Sequence, residues 1–462
     1  MGVIPQALVF KQPEFPGAAP ANEGARAQAR PSLRRYYIWT IGCQMNKADS
    51  ERLGSALDQL GLAPVDVPSE ADVIVFNSCV VRQSAEDKVA SALGTIKPLK
   101  RGRPDAVVAL MGCMVGPRTY DLRRRFPYVD VFMRPQEYQP LLDVVGERLG
   151  VDWEGCVGDL SPSKPGVTAY VPIIHGCDLF CTFCIIPYRR GRQVSRPVND
   201  LVREVGHLVA RGVKEVTLLG QTVDAYGADL PETRDLADLL TALHPIAGLE
   251  RIRFLTSHPN FMSDRIINAV AELPKVCEHV NLPVQAGDDD VLQTMRRGYT
   301  RSDYLRLIDR IRTRIPNVAL TTDIIVGFCG ETDEQFRQTA SLLEEVRFDK
   351  VHLARYSTRP GTTAARKLDD DVPEAVKDER LHVLESLQTR IATDNNARYL
   401  GRTVEVLVED RDEHGKWKGR ARTDKLVFFE QASGELAGKL ARVEVTSASP
   451  WSLQGKLTTS PF

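Results

Sequence analysis

The sequence predicts an α/β protein of 462 residues in three folded regions: a small parallel α/β sheet, a partial or full barrel of six β/α units, and a small all-β barrel. Three observations predict this. Short apolar runs alternate with helical periodicity from Arg34 to about Gly150. Strand-like runs then recur at roughly even spacing between about Ala169 and Tyr356, with amphipathic helical segments between them. The last stretch turns to alternating apolar and polar residues punctuated by turn signals.

In chain order, "MGVIPQALVFKQPEFPGAAPANEGARAQARPS" is rich in Pro, Ala and Gly, and residues 1–33 read as a flexible tail. It lacks the charged start and long apolar core of a secretory signal. In the first domain, 34–150, "RYYIWTIGC", "ADVIVFNSC" and "DAVVALMGC" read as strands, each followed by a helix. "GDLSPSKPGVT" marks a linker over 151–165. The second domain, 166–395, carries "AYVPIIHGC", "VKEVTLLGQ", "RIRFLTS", "EHVNLPVQ", "VALTTDIIVGF" and "KVHLARYS" as strands. A longer helix, about Pro373 to Leu400, leads out of it. The third domain, 398–462, opens on "RTVEVLVED", with Val404, Val406 and Val408 on one face, and continues with "KLVFFE" and "ARVEVTSAS". "DEHG" and "ASGE" are its turns.

A hydrophobic content of 43% with 26% charged residues is ordinary for a soluble globular protein. The net charge of −1 excludes a global field that would gather nucleic acid, so any such binding needs a local basic surface. No apolar run approaches the ~20 residues of a membrane span, so no membrane role is expected and the location is expected to be cytoplasmic. Of nine cysteines, Cys43, Cys79 and Cys113 form one group of three and Cys177, Cys181 and Cys184 another. That grouping speaks against a secreted disulfide framework and for intracellular thiolate ligands. Cys156, Cys277 and Cys329 stand alone and are expected to be buried structural thiols.

"HGCDLFCTFCIIPYRRG" holds the second trio in C-x3-C-x2-C spacing after the first barrel strand, at the C-terminal mouth where barrel sites gather. Three thiolates fit a 4Fe–4S cube with one open iron. A Cys3His zinc site with His175 as fourth ligand fits the spacing too. Phe180 and Phe183 lie between the thiolates and are placed to shield a cluster from water. The first trio is dispersed, but each member ends a predicted strand. The C-terminal ends of neighbouring parallel strands share one sheet edge, and adjacent strands lie about 4.8 Å apart. Gly42 and Gly112 permit close backbone approach there. Three buried strand-end thiols with no ligand are the competing reading.

The C-x3-C-x2-C stretch resembles the radical S-adenosylmethionine enzymes. "GCQMNKADSERL", "NSCVVRQSAEDKV" and "MGCM" resemble the N-terminal domain of the methylthiotransferases within that group, and "GCDLFCTFCIIPYRRGRQVSRP" resembles their radical motif. "LPVQAGDDDVLQTMRRGYTRSDY", "TDIIVGFCGETDEQF" and "ARYSTRPGTTAA" are similar to the tRNA-modifying members. The likeness runs from about Arg34 to the C-terminus. It departs at Cys329, where proline is usual, at Thr222, where asparagine is usual, and at Ala286, where serine is common.

The resemblance implies a flavodoxin-like N-terminal sheet, a radical SAM partial (β/α)6 barrel and a small TRAM barrel that binds RNA. It implies two 4Fe–4S clusters, on Cys43, Cys79 and Cys113 and on Cys177, Cys181 and Cys184, with S-adenosylmethionine at the open iron of the second. It implies transfer of sulfur and a methyl group to carbon 2 of the isopentenyl-modified adenosine at tRNA position 37. Two sister reactions are alternatives, on threonylcarbamoyl-adenosine in tRNA or on an aspartate of a ribosomal protein. A non-catalytic iron–sulfur RNA-binding protein is an alternative of another class. Implied partners are tRNA, a flavodoxin- or ferredoxin-type electron donor and a sulfur donor, with the chain a monomer.

Gly220 and Gln221 follow the second barrel strand and Gln285 the fourth, so they are expected to contact S-adenosylmethionine or substrate; Asp323 is a candidate for substrate contact or for a buried hydrogen-bonding role. Two basic stretches are the local surfaces expected to serve RNA binding, with Arg189 and Arg190 in the first as expected RNA contacts. "YRRGRQVSR" puts Arg189, Arg190, Arg192 and Arg196 beside the cysteine loop, where phosphates or S-adenosylmethionine are the expected partners. "GKWKGRAR" carries Lys416, Trp417, Lys418, Arg420 and Arg422 on a predicted hairpin, combining cations for phosphates with an aromatic for stacking.

Overall fold

The computed structural model describes residues 34–80, 83–162, 165–232, 234–430 and 434–459; the expected tail, 1–33, and the Cys156 side chain lie outside the described residues. The described chain forms two compact units, one of residues 34–162 with 185–191 and one of residues 165–184 with 192–459.

The first unit is a five-stranded sheet of β1 (Arg35–Thr40), β2 (Ala63–Pro64), β3 (Val73–Ser78), β4 (Val107–Gly112) and β5 (Val131–Met133), in the order β2-β1-β3-β4-β5. All its pairings are parallel. The predicted strands are β1, β3 and β4. The short edge strands β2 and β5 add to them; two and three residues are too few for a periodic signal. β3 and β4 are buried on both faces, which is why they read as unbroken apolar runs. Alternate residues serve two cores. Val73 and Val75 pack with Leu53 and Leu57 of helix Gln44–Gln59 and Val145 of helix Gln139–Leu149. Ile74 and Phe76 pack with Val89, Leu93 and Ile96 of helix Gln83–Gly102. The sheet is therefore doubly wound, and its strand order reverses between β1 and β3, the switch point where such sheets bind ligands.

The second unit carries six parallel strands in two linked sheets. β6 (Thr168–Pro172), β9 (Glu215–Leu219) and β10 (Arg251–Leu255) form one, and β11 (His279–Asn281), β12 (Ala319–Val326) and β13 (Lys350–Arg355) the other. A parallel bridge, Ile252 to Val276, joins them into an open barrel. The first predicted strand splits: after Pro172 the chain leaves the ladder, and β7 (Ile174–His175) pairs antiparallel with β8 (Val194–Ser195). Helices Leu236–Leu243, Arg301–Arg314 and Asp333–Val346 each start on a reciprocal capping box, Asp235 with Asp238, Thr300 with Asp303 and Thr332 with Gln335. Such boxes satisfy orphan amides and fix where the chain turns into helix. Helix Glu374–Ala397 leads out of the barrel, as predicted.

The C-terminal strands β14 (Thr403–Arg411), β15 (Trp417–Ala421), β16 (Leu426–Glu430), β17 (Leu440–Ala448) and β18 (Ser452–Thr459) close into a barrel ordered β14-β15-β16-β18-β17. This small barrel packs on the N-terminal end of the six-stranded one. Arg253 donates to Glu215 Oε1 at 2.8 Å and to the Ala421 and Arg422 carbonyls at 2.7 Å. Arg251 donates to the Arg420 carbonyl at 2.6 Å and Glu405 Oε1 at 2.8 Å. Arg422 grips both oxygens of Glu278, and Lys425 pairs with Asp349 at 2.7 Å. The opposite, C-terminal mouth of the barrel is left to the cysteine loop.

Candidate cluster sites

In the first unit, Cys79 and Cys113 follow directly on the ends of β3 and β4, and Cys43 comes three residues after the end of β1, beside the switch point. Cys43 is the N-cap of helix Gln44–Gln59, where unpaired amides and the helix dipole favour a thiolate. Cys79 and Cys113 are buried and Cys43 is exposed. Gly42 (φ 133°) lies against Cys79: a Cβ there would come within 2.9 Å of the Cys79 Cβ and of Asn46 Nδ2. Gly112 (φ 96°) is pressed on the Ser78 backbone in the same way. These glycines let the three strand ends approach.

A polar lattice lies beneath the trio. Asn46 Nδ2 donates to the Ile41 carbonyl at 3.0 Å and the Ser78 carbonyl at 2.8 Å, so one side chain ties the loops carrying Cys43 and Cys79. Ser78 Oγ donates to the Met111 carbonyl at 2.5 Å, and Cys113 N donates to the Ser78 carbonyl at 2.9 Å. Arg190 Nη2 donates to Asn46 Oδ1 at 3.0 Å and to Asp49 Oδ2 at 2.9 Å. Burial pushes the Cys113 thiol pKa up, and the Arg190 guanidinium beside it pulls the other way.

Arg190 corrects one sequence expectation. Its side chain is 1% exposed and that of Asp49 0%, so it has no surface to offer RNA. A run of arginines reads as surface by composition, yet this one is a buried ion pair. Its neighbour Arg189 is also partly desolvated, with Glu86 and Cys113 as the charges acting on it. Arg192 stacks over Phe180 at 5.5 Å and pairs with Asp178 at 3.0 Å, and Arg196 bonds the Pro172 carbonyl and Glu204.

In the second unit, the loop from Cys177 to Cys184 is pinned at its middle. Thr182 N donates to the Met295 carbonyl at 3.1 Å, its Oγ1 donates to the Thr294 carbonyl at 2.8 Å, and its own carbonyl accepts from Ala364 N at 2.8 Å. Each of two cysteines has a polar neighbour. Thr222 Oγ1 is 3.4 Å from Cys177 Sγ, and Arg297 Nη1 donates to Cys181 Sγ at 3.3 Å. Burial raises the Cys177 pKa, opposed first by the Thr222 hydroxyl. Arg297 is itself fixed by the Pro283 carbonyl at 2.7 Å and Tyr299 Oη at 3.0 Å. Phe183 packs edge-on against Phe328, an apolar wall beside the loop.

Backbone strain gathers around this loop. Phe180 (φ 49°), Thr256 (φ 69°), Gln285 (φ 78°) and Arg296 (φ 58°) occupy the left-handed region without being glycine. Each costs of order 1–3 kcal/mol, and such residues cluster at functional sites. Gln285 is held by its own backbone, N to the Asp323 carbonyl at 2.9 Å and carbonyl to Ile325 N at 3.0 Å. Gln221 is half-buried beside Thr222, whereas Gly220 is pressed on Ile174 and Val223, a packing constraint. Asp224 is a further buried group. Both its oxygens accept the His258 amide at 2.9 Å, and burial pushes its pKa up to about 8. Sequence reading missed Asn46, Asp49, Arg297 and Asp224. Asn46 and Asp49 sit at helical spacing on the buried face of their helix, a legible sign that a polar group is wanted inside.

Among the described residues no three His, Cys, Asp or Glu side chains close on a single ion. In a 4Fe–4S cube each cysteine binds its own iron, so three thiols that do not close on one ion fit a cube better than a single metal ion. The thiol donors, the glycine cradle and the Arg190 and Arg297 donors fit such a group.

On the C-terminal barrel the structure corrects a second expectation. Trp417 is 2% exposed, packed inside with Val406, Val443 and Leu453, and covered by the Arg411 guanidinium at 4.0 Å. It has no face free to stack on a base. Arg420 pairs with Asp424 and Glu409, and Arg422 with Glu278. Lys416 and Lys418 remain partly exposed, in surface pairs with Glu430 and Asp410.

Three families match consecutive parts of the chain: Uncharacterized protein family UPF0004 over residues 35–134, the Radical SAM superfamily over 171–343, and the TRAM domain over 397–458. A protein of Roseiflexus sp. (strain RS-1) named tRNA-2-methylthio-N(6)-dimethylallyladenosine synthase is 52% identical over 446 residues, covering 95% of this chain and 93% of its own length. One of the same name from Chloroflexus aurantiacus is 51% identical over 429 residues, covering 92% of each chain. Among solved structures, the radical S-adenosylmethionine methyltransferase TsrM of Kitasatospora setae superimposes with a TM-score of 0.54 at 14% identity, covering 72% of this chain and 77% of its own, a likeness of fold. With end-to-end identity near one half and all three domains in order, the chain belongs to the radical SAM methylthiotransferases, in the branch of the tRNA-2-methylthio-N(6)-dimethylallyladenosine synthases.

Proposed function

We propose that the protein adds a methylthio group at carbon 2 of the isopentenyl-modified adenosine at position 37 of tRNA. The observation that carries this reading is 52% identity over nearly the whole chain to a synthase of that name, with one cysteine trio just beyond the ends of β1, β3 and β4 and the other in the loop after β7. Cys43, Cys79 and Cys113 hold one 4Fe–4S cluster and Cys177, Cys181 and Cys184 the other. Bound there, the two clusters and S-adenosylmethionine supply the electron, the radical and the methyl group that an unactivated aromatic C–H bond demands.

The chain's own residues position and enclose. Thr222 and Arg297 orient and stabilise the Cys177 and Cys181 thiolates by hydrogen bonds to sulfur. Phe183 and Phe328 keep water from the cysteine loop. Gln285, held in a strained backbone, and Gln221 present amide side chains to cofactor or substrate. Lys416 and Lys418 meet tRNA phosphates on the terminal barrel, and Arg189 is a further candidate. An electron donor of flavodoxin or ferredoxin type and a sulfur donor serve the reaction, and the chain works as a monomer. No helix among the described residues is long and apolar enough to cross a membrane.

The test is nucleoside mass spectrometry of isopentenyl-adenosine tRNA incubated anaerobically with the reconstituted, reduced protein and S-adenosylmethionine. The reading expects the 2-methylthio derivative to accumulate. A product only on threonylcarbamoyl-adenosine tRNA would move the assignment to a sister enzyme.

A further inference from the structure

We propose that Arg190 is a positioning residue for the first cluster: oriented by Asp49 and Asn46, its cation stands beside the Cys43 and Cys113 thiolates and raises the reduction potential of the group they hold. The proposal rests on the reading that this trio carries a 4Fe–4S cluster.

Three observations carry it. First, the pair is buried at the site and nowhere near bulk water: Arg190 and Asp49 side chains are 1% and 0% exposed, and Asn46 is fully buried. Buried ions persist when paired, and a charge pair enclosed this tightly beneath three thiols sets the local field. Second, the pair does not satisfy itself. Arg190 Nη2 serves Asn46 and Asp49, but Nε and Nη1 are buried with no hydrogen-bond partner among the described residues. Asn46 Oδ1, which accepts from Arg190 Nη2 at 3.0 Å, lies 3.6 Å from Cys43 Sγ, and the guanidinium charge pulls the Cys113 thiol pKa down against burial. A planar fork suits this role, because one nitrogen is anchored while two buried donors remain for a group held by the thiols, which an ammonium offers less well. Third, the lattice is shared. Asn46, which orients Arg190, also ties the loops bearing Cys43 and Cys79, so the cation is in register with the thiols.

The sign follows from charge. Three thiolates give the cube net negative charge, and reduction adds one electron more. A fixed cation stabilises the reduced state more than the oxidised one, so its removal lowers the potential; removal of the Asp49 carboxylate raises it. Arg190 lies six residues after Cys184, so one short stretch supplies the last thiol of the second trio and the cation of the first.

The experiment is a redox titration, followed by electron paramagnetic resonance, of the anaerobically reconstituted full chain. Wild type, Arg190→Gln, Arg190→Lys and Asp49→Asn are compared, and a Cys177→Ala/Cys181→Ala/Cys184→Ala chain identifies the signal of the first cluster. Expected are a shift to lower potential in Arg190→Gln, a shift to higher potential in Asp49→Asn, a smaller displacement in Arg190→Lys, and an unmoved second cluster. Wild-type potentials in both Arg190→Gln and Asp49→Asn at full iron content overturn the proposal. If Arg190→Gln fails to hold iron, Asp49→Asn decides: an upward shift supports the proposal and an unmoved potential overturns it. A triple-alanine chain that binds no iron overturns the cluster assignment itself, whatever Arg190 does.

Discussion

Arg297 and Thr222 show how single side chains act at the second trio. Arg297 bonds Cys181 at 3.3 Å while anchored by Pro283 and Tyr299, and Thr222 lies 3.4 Å from Cys177. Residues that orient a metal ligand typically govern about 10–100-fold in affinity or activity. Arg297→Gln is therefore expected to lower 5′-deoxyadenosine formation from S-adenosylmethionine by about 10–100-fold, with the first cluster's spectrum retained. Thr222→Val is expected to act in the same direction and more weakly, since its hydroxyl is one neutral donor. In the sequence the second trio stood out by its C-x3-C-x2-C spacing, and the first trio and Gln285 by their places after predicted strands. Arg190 and Arg297 did not, because nothing local distinguishes an arginine that pairs inside from one that faces solvent.

At the scale of the element, strand β15 explains what the basic stretch does. Its burial alternates: Trp417, Gly419 and Ala421 point inward, Lys418 and Arg420 outward. That period of two was present in the sequence and separates the indole from the lysines; read as a cluster of residue types, it was lost. Trp417→Ala is expected to destabilise the terminal barrel by about 3–5 kcal/mol in a urea titration. Lys416→Glu with Lys418→Glu is expected to leave folding within about 0.5 kcal/mol, since both lie on the surface. The same pair should weaken tRNA binding and flatten its dependence on log salt by about one unit for each phosphate no longer neutralised, measured by filter binding at several salt concentrations.

The seam between the terminal barrel and the six-stranded barrel has a pH dependence of its own. His279 is buried there, and desolvation brings its pKa down to about 4, with Asp424 raising it and Arg253 lowering it in turn. The folded state thus prefers the neutral ring. As pH falls, the unfolded chain takes up the proton first, near its ordinary value of about 6.5. Stability is complete above that value and is lost as pH falls toward 4, by about 1.4 kcal/mol per unit from this group. His279→Gln should flatten the fall in urea midpoint between those pH values. An unchanged slope would show that His279 does not carry it.

For the whole molecule, the architecture was legible because its strands read as short apolar-rich runs between helical segments; β3 and β4, buried on both faces, are unbroken runs, while β1 and β13 are partly exposed. The edge strands β2 and β5 are too short to register, and the break after Pro172 depends on the β7–β8 pairing, which no local pattern announces. The two trios became sites only through topology: a switch point gathers Cys43, Cys79 and Cys113, and a barrel mouth holds the loop of Cys177, Cys181 and Cys184. Two cubes per chain, one on each trio, are expected. Iron and acid-labile sulfide, counted per chain after anaerobic reconstitution, test this most directly. Expected are about eight of each in the wild type and about four in a chain lacking either trio. About four in the wild type, lost entirely when one trio is replaced and untouched when the other is, would contradict it.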